Sequence, residues 1–364
     1  MTSTVYFCNM SCRKHSQTKS AKIAKLCTLL DLKNVVVPGQ PCAVKLHFGE
    51  DGNDTHLNPQ LVQIVVDKIR QAKALPFMTD TTTLYSGSRH NAVSHLNTAV
   101  RHGFAPGVVD APVIIADGLF GANEIPVAIN AKNFAEVRIA TEIVHSPAMV
   151  VLSHFKGHEM AGFGGAIKNL AMGCASHDGK RDQHGISVTV NQDKCQGCGH
   201  CVHICPEKAM HLGDDKHSHC DTSKCIGCFE CMTVCEPKAI DINWETDIPA
   251  FMERLTEYAY GAVKGKEEHV CYINFVMNIT PDCDCAGWSD MPMVPDVGIL
   301  ASHDPVALDQ ACFDLVQKQP LLADMELGGK DIFTARWPHT RGTIQLSYAE
   351  QLGMGTREYV LKEV

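Results

Sequence analysis

The feature that most constrains this chain of 364 residues is a pair of cysteine quartets with the same spacing. Each quartet reads C-x2-C-x2-C-x3-C. The first consists of Cys195, Cys198, Cys201 and Cys205, and the second of Cys225, Cys228, Cys231 and Cys235. Zinc sites use two C-x2-C pairs, so the third C-x2 step and the C-x3-C step serve no purpose at one tetrahedral ion. The spacing instead predicts two [4Fe-4S] clusters.

The same spacing predicts which cysteines share a cluster. The x2 gaps form a tight loop around one cube, and the fourth cysteine begins the next helix and reaches the other cube. One cluster is therefore predicted on Cys195, Cys198, Cys201 and Cys235, and the other on Cys225, Cys228, Cys231 and Cys205. In the second quartet Glu236 separates the last cysteine from Pro237, which can change the local turn but removes no ligand. Cys220 has no regular spacing and is predicted to be a bystander.

Residues 194–237 resemble the two-cluster bacterial ferredoxins across roughly 45 residues. The resemblance implies low-potential transfer of single electrons and a redox partner protein. It leaves the electron donor, the electron acceptor and the redox potentials open.

Composition narrows the remaining possibilities. The net charge of -9 gives no electrostatic support for a nucleic-acid partner. No apolar stretch approaches the length of a membrane span, and residues 1–20 have no apolar core typical of a secretory signal. Eighteen cysteines in such a chain favour metal binding in a reducing cytoplasm over a disulfide framework, and they suggest an anaerobe.

Outside the cysteine-rich segment, apolar runs alternate with amphipathic stretches. Strands are predicted over residues 43–47, 75–79, 113–116, 149–152, 270–276 and 298–301, and helices over 21–32, 59–72, 90–103, 249–263 and 305–316. This alternation predicts an α/β fold with a mostly parallel sheet, interrupted by a small ferredoxin-like α+β insert. The predicted divisions are 1–187 and 244–364 for the two parts of the α/β domain and 188–243 for the insert.

Two groups of residues outside the quartets suggest further chemistry. His154, Lys156 and Lys168 lie on a predicted strand end and the glycine-rich loop that follows it, and His47 follows another strand. Such strand ends are where open α/β sheets bind ligands, so the lysines are predicted to hold an anionic small molecule and a histidine to supply protons. The alternative is a tight turn with solvated charges.

The second group consists of Cys283 and Cys285, a C-x-C pair next to acidic residues, and Cys174. If they meet in space, three thiolates with an open position predict a third iron–sulfur cluster or a metal ion. Free thiol groups are the alternative. Asp304, before Pro305, is predicted to cap a helix, with a role in the site as the alternative.

Several motifs resemble the family named domain of unknown function number 362, in which some members carry a ferredoxin insert at this place. The motifs are KLHFGE (residues 45–50), GGAIKNLAMGC (164–174), Gly179, Lys180, His184 and DPVALD (304–309). The resemblance implies an α/β domain interrupted by the two-cluster segment, and it implies no activity.

Together these features predict an iron–sulfur electron-transfer protein, with the two clusters passing electrons to a site in the α/β domain. The alternatives are an electron carrier or a cluster scaffold with no chemistry of its own. The substrate and the oligomeric state are left open.

Overall fold

A computed structural model describes residues 2–85, 87–185, 187–225, 227–243, 248–322 and 324–364. The strands are β1 (Ser3–Asn9), β2 (Pro41–Lys45), β3 (Leu75–Asp80), β4 (Val113–Ile115), β5 (Glu124–Ala128), β6 (Glu136–Ala140), β7 (Ala148–His154), β8 (Lys156–His158), β9 (Gly162–Gly164), β10 (Val188–Val190), β11 (Met210–Leu212), β12 (Ser218–Cys220), β13 (Ile240–Ile242), β14 (Val270–Val276), β15 (Gly298–Ser302) and β16 (Tyr359–Glu363). The helices are α1 (Lys19–Leu29), α2 (Leu32–Val35), α3 (Pro59–Gln71), α4 (Ala92–Arg101), α5 (Pro106–Val109), α6 (Thr141–His145), α7 (Ala166–Cys174), α8 (His177–His184), α9 (His200–Ile204), α10 (Glu230–Thr233), α11 (Ile248–Val263), α12 (Pro305–Val316), α13 (Ile332–Arg336) and α14 (Ile344–Gln351).

An eight-stranded sheet in the order β16-β1-β15-β14-β7-β2-β3-β4 forms the centre of the fold. Five neighbouring strands, β14, β7, β2, β3 and β4, run parallel to one another. Strand β15 is antiparallel to both of its neighbours, β14 and β1. Every residue of β7 and β14 is buried, which is expected of central strands covered on both faces. The prediction of an α/β fold with a mostly parallel sheet is confirmed.

Helices cover both faces of this sheet. In β7, Met149 and Val151 belong to the core that includes residues of α7, α11 and α12, and Val150 and Leu152 to the core that includes residues of α1 and α3. The predicted strands and helices are found within a few residues of their expected bounds. The strands β1 and β16 were not predicted. They lie at one side of the sheet, where most of their side chains are only partly buried or exposed, so neither has the fully buried pattern of a central strand.

Residues 188–243 form a cysteine-rich segment with its own small core. Here β10 pairs with β13 and β11 pairs with β12, both antiparallel, and the core includes Cys201 and Cys231. The bounds of the predicted insert stay a prediction, and its junction at residue 244 lies outside the described residues.

Two aspartates at the ends of the DPVALD motif hold helix starts. Asp304 caps α12 by accepting hydrogen bonds from the amides of Val306 and Ala307, so the predicted capping role is confirmed. The buried Asp309 accepts bonds from the amides of Ala166 and Ile167 at 2.8 and 2.9 Å. It also accepts a bond of 2.6 Å from the Asn274 side chain and so fixes α7 against β14.

Replacing Asp309 with alanine is expected to lower the free energy of unfolding by about 3 kcal/mol, because three buried donors lose their acceptor. Asp331 offers a matched control, since it caps α13 through two amides but is partly exposed. Asp331→Ala should cost about 1 kcal/mol. Denaturant titration of both variants measures the difference, and equal losses would contradict this role of Asp309.

Candidate functional site

A pocket lies at the carboxyl ends of β2, β3 and β7, where an open α/β sheet binds ligands. All four residues predicted for catalysis line it: His47, His154, Lys156 and Lys168. The start of α7 and part of the cysteine-rich segment complete its walls. The structure therefore brings together side chains from strand ends that are far apart in the chain.

A buried ion pair lies beneath the pocket. Lys45 Nζ is 3.0 Å from the carboxylate of Asp80 and donates to Asn169 Oδ1 at 2.6 Å. Burial raises the pKa of Asp80, but Lys45, His95 and Arg89 together hold it below its ordinary value. The Asp80 carboxylate is therefore ionised near pH 7, and this ion pair links the ends of β2 and β3.

His47 is held by a second buried network. Arg89 Nε lies 3.0 Å from Glu50, and its NH1 lies 3.0 Å from His47 Nε2. The amide of Gly49 donates to His47 Nδ1 at 3.0 Å. Burial, reinforced by Arg89, holds the pKa of His47 well below its ordinary value, so the ring is neutral near pH 7.

Asp284 ties His154 and Lys156 to the C-x-C loop. His154 Nδ1 lies 2.8 Å from Asp284 Oδ2, and its Nε2 faces the carbonyl oxygens of Met277 and Asn278 at 2.8 and 3.0 Å. Lys156 Nζ is 3.6 Å from the same carboxylate. Because Asp284 lies between Cys283 and Cys285, this network holds the loop that carries both thiols.

The thiol groups of Cys283 and Cys285 lie with the imidazole of His158 in one group. One ligand atom from each lies within 4.8 Å of the others, close enough for all three to hold a single metal ion. Lys168 Nζ is 3.6 Å from Cys283 Sγ. A hydrogen bond from Cys285 holds the pKa of Cys283 well below its ordinary value. Lys156 and Lys168 lower this pKa further, whereas burial raises it.

Cys174 does not belong to this group. It is fully buried at the end of α7, in the apolar core, and burial raises its pKa to about 11. The structure thus unites two of the three cysteines predicted for a metal and places His158 where the third was expected. The sequence placed His158 with His154 and Lys156 among the titratable groups of the strand-end stretch, but predicted no metal-binding role for it.

The eight quartet cysteines surround two small cavities. The first is lined by Cys195, Cys198, Cys201 and Cys235, and the second by Cys205, Cys225, Cys228 and Cys231. Each cavity therefore receives three cysteines from one quartet and the fourth from the other. Cys220 lines neither cavity, although its thiol hydrogen-bonds with Cys225.

Backbone amides point at the cysteine sulfur atoms in a repeated pattern. The amide of Ala209 donates to Cys205 Sγ and that of Ala239 to Cys235 Sγ, each at 3.2 Å. Gly197 adopts φ +65°, and a Cβ there would lie 2.2 Å from the carbonyl oxygen of Lys216. The loops are thus shaped to present thiolates with amide donors beside them, which fits iron–sulfur ligation.

The second cavity shares a wall with the large pocket. Cys228 and Phe229 line both, and the Phe229 ring lies edge-on to His184 with centroids 5.9 Å apart. Arg181 and Glu207 form an ion pair of 3.3 Å between α8 and the cysteine-rich segment. Of the two quartets, only the second contributes a cysteine, Cys228, to the pocket wall among the described residues.

Residues 42–314 match the model of the family described as Domain of unknown function (DUF362). The chain belongs to this family. Comparison with curated proteins gives no match. Among solved structures, the chain is similar to the lactate racemase apoprotein from Thermoanaerobacterium thermosaccharolyticum, with 12% identity and a TM-score of 0.37. That similarity covers 76% of this chain and 51% of the racemase, so the chain spans about half the length of that protein.

The DUF362 motif GGAIKNLAMGC has a clear structural basis in this chain. A Cβ at Gly173 would lie 2.2 Å from Lys45 Nζ, and one at Gly165 would lie 2.4 Å from Asp309 Oδ1. Both glycines therefore let buried charged groups approach α7 closely. Among the residues that the structure describes, no helix combines the length and apolar character that a membrane crossing requires.

Proposed function

We propose that this DUF362 protein is an iron–sulfur oxidoreductase that passes electrons from two [4Fe-4S] clusters into the pocket of its α/β fold. The observation that carries the proposal is the position of Cys228, which lines both the second four-cysteine cavity and the pocket. When bound, the clusters supply single electrons. The crossed lining of the two cavities and the amide donors to Cys205 and Cys235 support their presence.

The exposure of the cysteines suggests a direction for electron flow. Cys198 is exposed, whereas Cys228 is partly buried against the pocket. We therefore place the docking site for a redox partner protein at the first quartet and the delivery of electrons at the second. The many cysteines favour a reducing compartment, the cytoplasm of an anaerobe, for this activity.

The pocket offers groups for an anionic substrate and for protons. Lys168 reaches the pocket from the first turns of α7, where an anion is also favoured by the helix dipole. Burial lowers the pKa of Lys180 to about 8, which suits a proton donor near neutral pH. Its Nζ is held by Thr81 Oγ1 and the carbonyl oxygen of Ala175, each at 2.6 Å.

The test uses anaerobically purified protein, with iron and acid-labile sulfide counted and the reduced clusters recorded by electron paramagnetic resonance. About eight irons per chain are expected. Reduced protein is then mixed with small anionic oxidants, including carboxylates that carry a reducible group. Lys168→Met should leave the cluster signals intact but slow reoxidation by the effective oxidant at least about tenfold, equivalent to about 1.4 kcal/mol in the barrier.

Lys362→Met is the matched control, because Lys362 is exposed on β16 at the edge of the sheet. It should reoxidise at the rate of the unmodified protein. If the unmodified protein, Lys168→Met and Lys362→Met are reoxidised at equal rates and pass electrons only to a second redox protein, the chain is an electron carrier. Transfer of the clusters themselves to an apoprotein would show a scaffold. Eight cysteines occupied by zinc would contradict the proposal.

A further inference from the structure

The group formed by His158, Cys283 and Cys285 has the composition of a metal site. Two thiolates and an imidazole are ligands that zinc and iron(II) accept, and Cys2His is a ligand set of catalytic zinc. His158 and Cys283 are buried, and Cys285 is partly buried. Burial of three such groups together is costly unless they bind each other or an ion.

Close backbone contact brings the two parts of this group together. The amide of Gly157 donates to the carbonyl oxygen of Thr280 at 2.8 Å, so β8 lies against the loop that carries the two cysteines. A Cβ at Gly157 would lie 2.3 Å from the carbonyl oxygen of Pro281. Only glycine allows this approach, which places the next residue, His158, beside the thiols.

Neighbouring groups fix the orientation of all three side chains. The amides of Met160 and Ala161 both donate to His158 Nδ1 at 3.1 Å and hold the ring in place. The proton of the neutral ring is therefore on Nε2, and an ion that binds at Nε2 takes the place of that proton. Asp284 is held by His154 and Lys156 and positions the cysteine on either side of it. The three side chains are therefore held near one another before any ion binds, and binding of the ion releases the proton of His158 Nε2.

We propose that His158, Cys283 and Cys285 bind one divalent ion of the zinc or iron(II) class and leave its fourth position open to the pocket. His158 and Cys285 both line the pocket, so an ion between them faces its interior. Three protein ligands with an open position are the pattern of catalytic rather than structural zinc. Lys168 next to Cys283 would pair with an anionic oxygen donor at that position. The inference deepens the proposed function by naming the site that faces the substrate.

The experiment measures metal binding without an activity assay. Cluster-loaded protein is incubated anaerobically with one equivalent of Zn²⁺ and desalted, and zinc and iron are counted by mass spectrometry. X-ray absorption at the zinc edge then reads the ligands. The unmodified protein should retain one zinc with two sulfur atoms, one imidazole nitrogen and one further light atom, in addition to about eight irons.

Variants His158→Ala, Cys283→Ser and Cys285→Ser should weaken zinc binding by roughly a hundredfold or more while the iron count stays unchanged. Cys174→Ser and Cys12→Ser are the controls, one buried outside the group and one exposed, and both should bind zinc normally. The inference is overturned if zinc is not retained or if the ligand variants retain it fully. A protein mass two hydrogens lower, from a Cys283–Cys285 disulfide that excludes zinc, would also overturn it. The iron and sulfide counts test the proposed function separately, so either idea can fail alone.

Discussion

Replacing Cys235 with alanine is expected to remove the cluster of the first cysteine quartet and lower iron from about eight to about four atoms per chain. Cys235 belongs to the second quartet in sequence, but its side chain lines the cavity of Cys195, Cys198 and Cys201. A cubane that loses one of four thiolates is poorly held, so the whole cluster should be lost. Iron and sulfide analysis of anaerobic protein measures the effect.

Double variants separate this crossed arrangement from two independent quartets. Cys235→Ala with Cys198→Ala should lose no more iron than Cys235→Ala alone, because both cysteines line one cavity. Cys235→Ala with Cys228→Ala should lose nearly all iron, because Cys228 lines the other cavity. The reverse pattern would contradict the crossed arrangement. Cys205→Ala is the matched single variant, since Cys205 also accepts a bond from an alanine amide.

The second large effect concerns stability. Lys45→Met is expected to lower the free energy of unfolding by about 3 kcal/mol, because it leaves the buried carboxylate of Asp80 without its closest cation. The loss should lie at the low end for a broken buried pair, since Arg89 NH1 remains 3.8 Å from Asp80. Denaturant titration near pH 7 measures it.

Two controls define the origin of that loss. The pair Arg70–Asp110 is 3.4 Å apart and about half exposed, so Arg70→Met should cost less than about 1 kcal/mol. Asp80→Asn added to Lys45→Met should recover part of the stability, because it removes the unpaired charge. If the double variant loses as much free energy of unfolding as the two single variants lose in sum, charge pairing is not the cause.

The pH dependence follows from the direction of the Asp80 shift. Its pKa in the folded protein is below the ordinary value of 3.8, so the unfolded state binds a proton more readily. The stability that Asp80 contributes is therefore complete above about pH 4 and declines as pH falls through the folded pKa. In Lys45→Met the pKa of Asp80 should rise, so the difference between the two proteins should narrow in acid. A difference independent of pH would contradict this.

The sequence predicted most of the sheet because its central strands are continuous apolar runs, such as β7 and β14. The sharing of cysteines between two clusters stays a prediction, and the lining of the two cavities has the same crossed arrangement because short spacing within a quartet restricts the local geometry. It placed Cys174 with Cys283 and Cys285 because strand ends of one sheet meet at one edge. That expectation was wrong for Cys174, since a position at the end of a helix can face either the pocket or the core. The position of His158 beside the thiols was not predicted, because it depends on the close contact at Gly157, a tertiary feature without a sequence period.

The pairing of β10 with β13 has a consequence for how such chains diversify. Val188 lies opposite Ile242, so the cysteine-rich segment leaves and rejoins the rest of the chain at neighbouring points. A gene could therefore gain or lose this segment with little change to the large sheet. The loss would carry a second effect, because Cys228 and Phe229 form part of the pocket wall. A relative without the segment would lack this part of the wall, so its pocket would be more open to solvent and would fit molecules of a different shape.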